Sequence, residues 1–222
     1  LASTVAHDSQ NPLAVIMGNA EVLGVKFPQT SEVTNATQII VRQTERITEL
    51  VDSIQNYARG DSDTFDEVDM HRVLGEALML TERLLVKFNI RVNQQTQTNL
   101  SSVLGNANRL EQVFMNLIQN AAQAMQYQRD GALHLVAREI EKMGKSWVEV
   151  EVRDTGGGIA EDKVADIFKA FYTTKANEKG TGLGLAICQR IVTAHEGEIE
   201  LQNRHGYGAT FLVRIPVVSQ DL

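Results

Sequence analysis

The stretch SWVEVEVRDTGGGIA, residues 146–160, joins an alternating apolar and charged run to three consecutive glycines. Alternation with a period of two predicts a β-strand with one buried face. The strand ends at Asp154, whose carboxylate could accept a hydrogen bond from an exocyclic amine while the glycines let a flat ring approach the backbone. The stretch therefore predicts a strand whose end is a candidate ligand site, although a glycine cluster alone is equally typical of a turn.

Segments with helical and with strand-like patterning surround this strand. Apolar residues recur at helical spacing in residues 69–85 and 106–125. Strand-like patterning occupies residues 131–140, 146–154, 197–203 and 208–217. Because several strands are adjacent in sequence while helices lie between others, we predict an α/β sandwich with one mixed sheet under helices.

The first 59 residues show helical patterning only. Two apolar series each fall on one stripe of a helix: Leu13, Ile16, Ala20, Leu23 and Phe27, then Val33, Ile40, Ile47 and Ile54. The connection PQTS at 28–31 makes these an antiparallel helical hairpin. Two helices cannot enclose an apolar stripe, so we predict that a second copy completes a dimeric four-helix bundle.

Composition and a polar break set the domain organisation and the class of protein. The run ARGDSDTFD at 58–66 predicts a boundary between domains of residues 1–62 and 63–222. A net charge of −7 argues against general nucleic-acid binding, because phosphate contacts need clustered Lys and Arg. The single cysteine permits a reducing compartment, and no apolar run approaches the roughly 20 residues of a membrane span. We expect a cytoplasmic fragment of a longer protein that is itself inner-membrane associated or carries an upstream sensor domain.

Near the start, VAHDSQNPLAV at 5–15 places His7, Asp8 and Asn11 beside Pro12 within a helical pattern. Proline inside a helix removes a backbone donor and costs roughly 3 kcal/mol. One interpretation is a histidine nucleophile with an acidic partner. The other is a surface histidine near a helix start, and this stretch alone leaves both open.

A second glycine cluster and two asparagines offer further ligand-binding groups. KGTGLGLAI at 179–187 leads from glycines into an amphipathic helix, whose free N–H groups would suit phosphate oxygens. Neither glycine cluster has the pattern of a dinucleotide fingerprint or of a P-loop. Asn116 and Asn120 are four residues apart and share one helical face. An amide oxygen is a suitable Mg²⁺ ligand, although a helix-surface asparagine needs none.

Six motifs occur in order along the chain: HDSQNPL, RLEQVFMNLIQNA, DTGGGIA, IFKAFYTTK, GTGLGLAI and GYGATF. Together they resemble the successive motifs of the sensor histidine kinases of two-component systems, over nearly the whole chain. The resemblance implies a dimerisation and histidine-phosphotransfer domain followed by an ATP-binding catalytic domain of the Bergerat (GHKL ATPase-like) fold. FYTTK and GTGLGL resemble the branch with a short nucleotide lid.

The resemblance implies that the second domain binds ATP and Mg²⁺. Asp154 would contact the adenine amino group, Asn120 would coordinate Mg²⁺, and Asn116 would lie near the phosphates. The residues implied to bind the cofactors are Asn116, Asn120, Asp154, Gly156, Gly158, Ile159, Phe168, Phe171, Thr174, Lys175, Gly180, Thr181, Gly182, Leu183, Gly184, Leu185 and Thr210.

The resemblance also implies a lid over the nucleotide, spanning residues 170–181. Phe168 and Phe171 would anchor this lid, and Lys175 would lie near the nucleotide. Thr210 would line the rear of the pocket.

In the first domain, the resemblance makes His7 the phosphoacceptor and an aspartate of a response-regulator receiver domain the next acceptor. Asp8 would hydrogen-bond the imidazole ring or accept its proton. Asp8 and Asn11 also resemble the D-x-x-N phosphatase motif of the family, which implies removal of phosphate from the regulator. Pro12 would bend the helix where a catalytic domain docks.

Some residues depart from the family pattern, and two other functions stay open. Asn106 stands where aspartate is common, and we expect only local capping consequences. A hydrolytic ATPase of the same superfamily, such as gyrase or the Hsp90 and MutL groups, would need a general-base carboxylate where this chain has Asn116. A scaffold without turnover is the non-enzymatic alternative. The remaining histidines show no metal-ligand spacing and are predicted to be surface or hydrogen-bonded residues: His71, His134, His195 and His205.

Overall fold

The computed structural model describes residues 2–28, 31–58, 64–173, 181–204 and 206–218. Side chains are described there except at residues 2–12, 45, 46, 49, 50, 52–58, 203 and 204. Contacts between Cα atoms divide the chain into a first unit, Leu1–Asp61 with Phe171–Leu183, and a second unit, Ser62–Ala170 with Gly184–Leu222. The domain boundary between residues 62 and 63 stays a prediction.

The first unit contains the predicted helical hairpin, with α1 at Ala2–Lys26 and α2 at Ser31–Ala58. Small residues allow the two helices to approach closely: a side chain on Gly24 would lie 3.2 Å from the Thr37 hydroxyl oxygen. From the predicted apolar stripes, Leu13 and Ala20 are buried. The larger members are exposed, namely Ile16, Leu23, Phe27, Ile40 and Ile47. The hairpin therefore leaves much of its apolar stripe uncovered, as predicted for two helices alone.

The second unit is a mixed sheet with helices, as predicted. In chain order its elements are β1 Asp66–Val68, α3 Met70–Lys87, β2 Arg91–Thr96, β3 Val103–Gly105, α4 Ala107–Ala124, β4 Ala132–Lys142, β5 Lys145–Asp154, α5 Glu161–Val164, α6 Gly184–Ala194, β6 Glu198–Arg204 and β7 Gly208–Pro216. Five strands form one sheet in the order β2-β4-β5-β7-β6, in which only the β2–β4 pair is parallel. Strands β1 and β3 form a separate antiparallel pair.

The large sheet has one apolar and one charged face. Helices α4 and α6 pack on the sheet, and α3 packs on α4. The strands contribute buried apolar residues to the core, including Leu133, Leu135, Val148, Val150, Val213 and Ile215. On the other face, Glu149 lies between Arg138 and Arg214, each with a nitrogen 2.6 Å from a Glu149 carboxylate oxygen. Because of this alternation, the helix-covered face is apolar. The polar groups of the candidate site therefore lie at the ends of strands and helices, as Asp154 does at the end of β5.

Candidate functional site

One face of α4 links the two glycine clusters. Asn116, Asn120 and Ala124 are spaced by four residues, which places them on the same side of the helix. The Asn116 amide nitrogen donates to the Gly184 carbonyl oxygen at 3.4 Å, at the start of α6. Two turns beyond Asn116, Ala124 lies beside the glycines after β5: a side chain on Gly156 would lie 3.0 Å from the Ala124 Cβ atom. Asn120 therefore lies between the start of α6 and the glycines after β5, half-buried and with no hydrogen bond to the described part of the chain.

The carboxylate at the end of β5 is held in one orientation by backbone donors. Asp154 is 5% exposed, and its Oδ1 atom accepts from the Gly156 N–H at 2.7 Å and from the Ala209 N–H at 3.3 Å. The arrangement presents a buried, oriented acceptor beside glycines, as a group that reads an exocyclic amine requires.

The turn between β6 and β7 is hydrogen-bonded to the glycine loop that follows Asp154. The Gly206 N–H donates to the Gly157 carbonyl oxygen at 2.8 Å. Gly208 has a φ of 108°, and a side chain there would lie 2.0 Å from the Asp154 carbonyl oxygen. Only glycine permits such an approach of two backbones. This support could not be predicted from the sequence, because its hydrogen bonds come from backbone groups that almost every residue carries.

Thr210 lies on the opposite face of β7 from Ala209. Ala209 and Phe211 are buried, whereas Thr210 is half-buried and pairs in register with Arg153. Thr210 lines a cavity of about 780 Å³ on the charged face of the sheet. The residue of β7 that binds the Asp154 side chain is therefore Ala209. That Thr210 lines the rear of the nucleotide pocket stays a prediction.

The structure describes both ends of the predicted lid. The ring of Phe168 makes an edge-to-face contact with Phe211, with centroids 6.4 Å apart. In the first unit, Phe171 and Gly182 both have positive φ angles, of 65° and 68°. A side chain on Gly182 would lie 2.5 Å from the Phe171 carbonyl carbon, so these two backbones are in close contact.

Some of the other implied nucleotide-binding residues lie within the described residues, and the rest lie outside them. Gly158 has a φ of 67°, Ile159 and Leu185 are half-buried, Thr181 accepts from the Leu183 N–H at 3.3 Å, and Leu183 is buried. Three implied residues lie outside the described residues: Thr174, Lys175 and Gly180.

The implied phosphoacceptor lies in a helix, as predicted. His7, Asp8 and Asn11 fall within α1, which continues through Pro12 to Lys26. Their side chains lie outside the described residues. Helical spacing places His7 and Asn11 one turn apart on the same face.

Most residues that were not given a catalytic role behave as expected, but the prediction for His71 was wrong: its Nε2 atom is buried and has no hydrogen-bond partner within the described residues. His195 is buried with both ring nitrogens hydrogen-bonded. Burial also raises the pKa of the Cys188 thiol to about 12. Asn106 caps α4 by accepting from the Arg109 N–H at 3.0 Å, which confirms its predicted capping role. His205 lies outside the described residues.

Metal-ligand clusters and membrane-spanning helices are both absent from the described residues. No cluster of three or more His, Cys, Asp or Glu side chains there could hold a metal ion. No helix in the described ranges has the length and apolar character needed to cross a membrane.

Family models match both parts of the chain. The histidine kinase-, DNA gyrase B- and HSP90-like ATPase model matches residues 105–219, and the His Kinase A (phospho-acceptor) domain model matches residues 1–63. Sensor histidine kinase ZraS of Klebsiella oxytoca is 32% identical over 221 residues, which cover 100% of this chain and 46% of that protein. The chain thus spans about half the length of the curated relatives it matches.

Solved structures of histidine kinases superpose on the chain. Full-length ShkA in complex with AMPPNP gives a TM-score of 0.76 at 26% identity, covering 97% of this chain and 45% of that one. ThkA in complex with the response regulator TrrA gives a TM-score of 0.69 at 28% identity, covering 99% of this chain and 61% of that one. The chain therefore belongs to the histidine kinase-, DNA gyrase B- and HSP90-like ATPase family, as the catalytic core of a sensor histidine kinase.

Proposed function

We propose that this chain is an ATP-dependent protein-histidine kinase that phosphorylates itself on His7 and passes the phosphoryl group to an aspartate of a response regulator. The observation that carries the proposal is the face of α4 on which Asn120 lies between the start of α6 and the loop that orients Asp154. A metal ligand, phosphate-binding N–H groups and an adenine-reading carboxylate would then follow one another along a single bound nucleotide.

The residues present fit Mg²⁺ with ATP. Asn120 offers an amide oxygen that is not engaged with the described part of the chain, and Mg²⁺ commonly combines a protein oxygen with phosphates and water. When bound, Mg²⁺ neutralises charge on the phosphates during transfer. ATP binding by this chain is also consistent with the AMPPNP complex of ShkA.

The structure favours transfer over hydrolysis. A general base for water would need a carboxylate on α4, and the position that would carry it is Asn116. Its amide nitrogen donates to Gly184, which gives this side chain a role in joining α4 to α6. An amide has no basic lone pair for proton abstraction, so the alternative of a hydrolytic ATPase lacks its base.

The phosphoryl step needs a neutral imidazole. A histidine ring attacks phosphorus through a ring nitrogen that carries no proton. A ring nitrogen of His7 would form the new bond to the γ-phosphorus, the bond to the β,γ-bridging oxygen would break, and ADP would leave. Asp8 would take the ring proton, and with Asn11 would support removal of phosphate from the regulator.

The first unit supplies the partner surfaces. Its uncovered apolar residues, such as Ile16, Leu23 and Ile40, would be buried by a second copy in a homodimeric four-helix bundle. A response-regulator receiver domain is the second partner, in line with the complex of ThkA with TrrA. We propose that this core is cytoplasmic, within a parent protein that is inner-membrane associated or carries an upstream sensor domain.

Incubation with γ-labelled ATP and Mg²⁺ tests the proposal. We expect a label that is lost in acid, kept in base and mapped to His7, and absent from His7→Gln although that variant still binds nucleotide. His71→Gln is the control, because His71 lies in the first turn of α3, a helix that carries none of the predicted site residues. Asn120→Asp should impair the Mg²⁺-dependent labelling while the dimer persists. Label that survives in His7→Gln would show that the nucleophile is another residue.

A further inference from the structure

His195 joins the far ends of the two helices that contact each other at the candidate site. The residue follows α6 and is 4% exposed. Its Nε2 atom accepts from the Asn106 N–H at 3.0 Å, so its proton lies on Nδ1, which donates to the Ile191 carbonyl oxygen at 2.8 Å. A side chain on Gly105 would approach the ring to 2.5 Å, so close packing holds the ring in place.

The same groups hold the segment that leads into the second unit. The ring of Phe65 lies against the ring of His195, with centroids 4.7 Å apart and planes inclined by 34°. The Asn106 amide nitrogen donates to the Thr64 carbonyl oxygen at 3.5 Å, while its amide oxygen caps α4. We call Thr64, Phe65, Asn106 and His195 the linker latch.

Helices α4 and α6 connect the linker latch to the candidate nucleotide site. The start of α4 is tied to the end of α6 by Asn106 and His195, and the middle of α4 is tied to the start of α6 by Asn116 and Gly184. Between these ties, the Cys188 thiol lies 3.6 Å from the Val113 carbonyl oxygen. Ten residues separate Asn106 from Asn116, a distance of about 15 Å along the helix. Because the two helices are tied at two points, we expect a displacement at one tie to be transmitted to the other.

We propose that His195 is a positioning residue for the nucleotide site, and that the linker latch couples occupancy of that site to capture of the segment at Thr64 and Phe65. The inference rests on the proposed binding of ATP. In the closed latch, the Phe65 ring lies against His195 and the Asn106 amide donates to Thr64. A nucleotide that fixes α4 and α6 near Asn116 and Gly184 favours this closed state. By linkage, opening the latch weakens nucleotide binding by the same factor.

Phe65 is a suitable residue for the test because its side chain is 38% exposed, so its removal should leave the core intact. The whole chain would be studied with and without AMPPNP and Mg²⁺. Hydrogen exchange would be followed at Asn106 and residues 64–68, and affinity would be measured by calorimetry. Met79→Ala serves as the control, because Met79 is 62% exposed on α3 and outside the latch.

In the wild type, Phe65→Tyr and Met79→Ala, AMPPNP should slow exchange at these positions by about fivefold or more. In Phe65→Ala the slowing should disappear, and the affinity for AMPPNP should fall by about the same factor. His195→Gln keeps an acceptor for the Asn106 N–H but removes the ring against Phe65. It should therefore lose the coupling while the cap of α4 remains.

The outcomes separate the latch from the proposed function. Equal affinity and equal slowing in the wild type and Phe65→Ala would overturn the latch and leave nucleotide binding established. A wild-type chain that does not bind AMPPNP would overturn the proposed function and the latch together. In Phe65→Ala, a fall in the autophosphorylation rate with no change in the KM for ATP would also contradict the latch, since coupling through the nucleotide site must change the affinity for nucleotide.

Discussion

Replacing Gly208 by alanine should destabilise the second unit through a single backbone contact. The new Cβ atom would lie 2.0 Å from the Asp154 carbonyl oxygen, more than 1 Å inside an ordinary contact of about 3.4 Å. The positive φ of 108° adds strain of about 1–2 kcal/mol for a residue with a side chain. Displacing the turn also breaks the bonds from Gly206 and Ala209, at about 1 kcal/mol each. The expected loss is about 3–4 kcal/mol.

Gly206→Ala provides a matched control in the same turn. Gly206 also has a positive φ, of 86°, but no atom lies within 4 Å of its new Cβ, so only the strain of about 1–2 kcal/mol should appear. Urea unfolding can be followed by fluorescence of Trp147, which is the one tryptophan of the chain and lies in β5. Equal losses in Gly208→Ala and Gly206→Ala would refute the argument from backbone contact. Because the turn orients Asp154, Gly208→Ala should also bind AMPPNP more weakly than Gly206→Ala.

Two further predictions concern titratable groups of the second unit. Burial raises the pKa of Glu149, but hydrogen bonds from Arg214 and Arg138 outweigh it and lower the pKa below the usual 4.5. The stabilisation by Glu149 is therefore present above the unfolded pKa and lost as the pH falls through the folded one. Glu149→Gln should reduce the free energy of unfolding at neutral pH more than in acid, as measured by urea titrations at both; a pH-independent difference would contradict this. Cys188, with its pKa raised to about 12, should resist thiol reagents in the folded chain and react on unfolding, whereas rapid labelling of the native protein would show that the thiol is accessible.

Local patterns were sufficient to predict most of the secondary structure. The alternation in residues 146–154 predicted β5, and periodic apolar residues predicted the helices that became α3 and α4. Strand β2 was missed because RVNQQT lies at the edge of the sheet and is mostly exposed, so no apolar alternation marks it. An edge strand is defined by pairing with β4, which is distant in sequence.

The motifs identified the site residues but not the contacts that organise them. The sequence placed Asn116, Asn120 and Asp154 as candidates because their chemistry suits a nucleotide. It could not show that Asn116 contacts Gly184, nor that Ala209 orients Asp154 through a backbone N–H. A backbone N–H donor cannot be recognised from the type of side chain, since almost every residue has one.

By itself, then, the sequence determined the helices other than α5, four of the seven strands in the described residues, and the chemical groups available for phosphoryl transfer, because periodicity and motif spacing are local properties. Tertiary structure alone decided which ends of α4 and α6 meet, and that His195 contacts Phe65 and Asn106 at the opposite end from the candidate site. These contacts join residues up to 130 positions apart, from Phe65 to His195. No local pattern specifies such pairs, because they exist only when the sheet and helices have packed around one core.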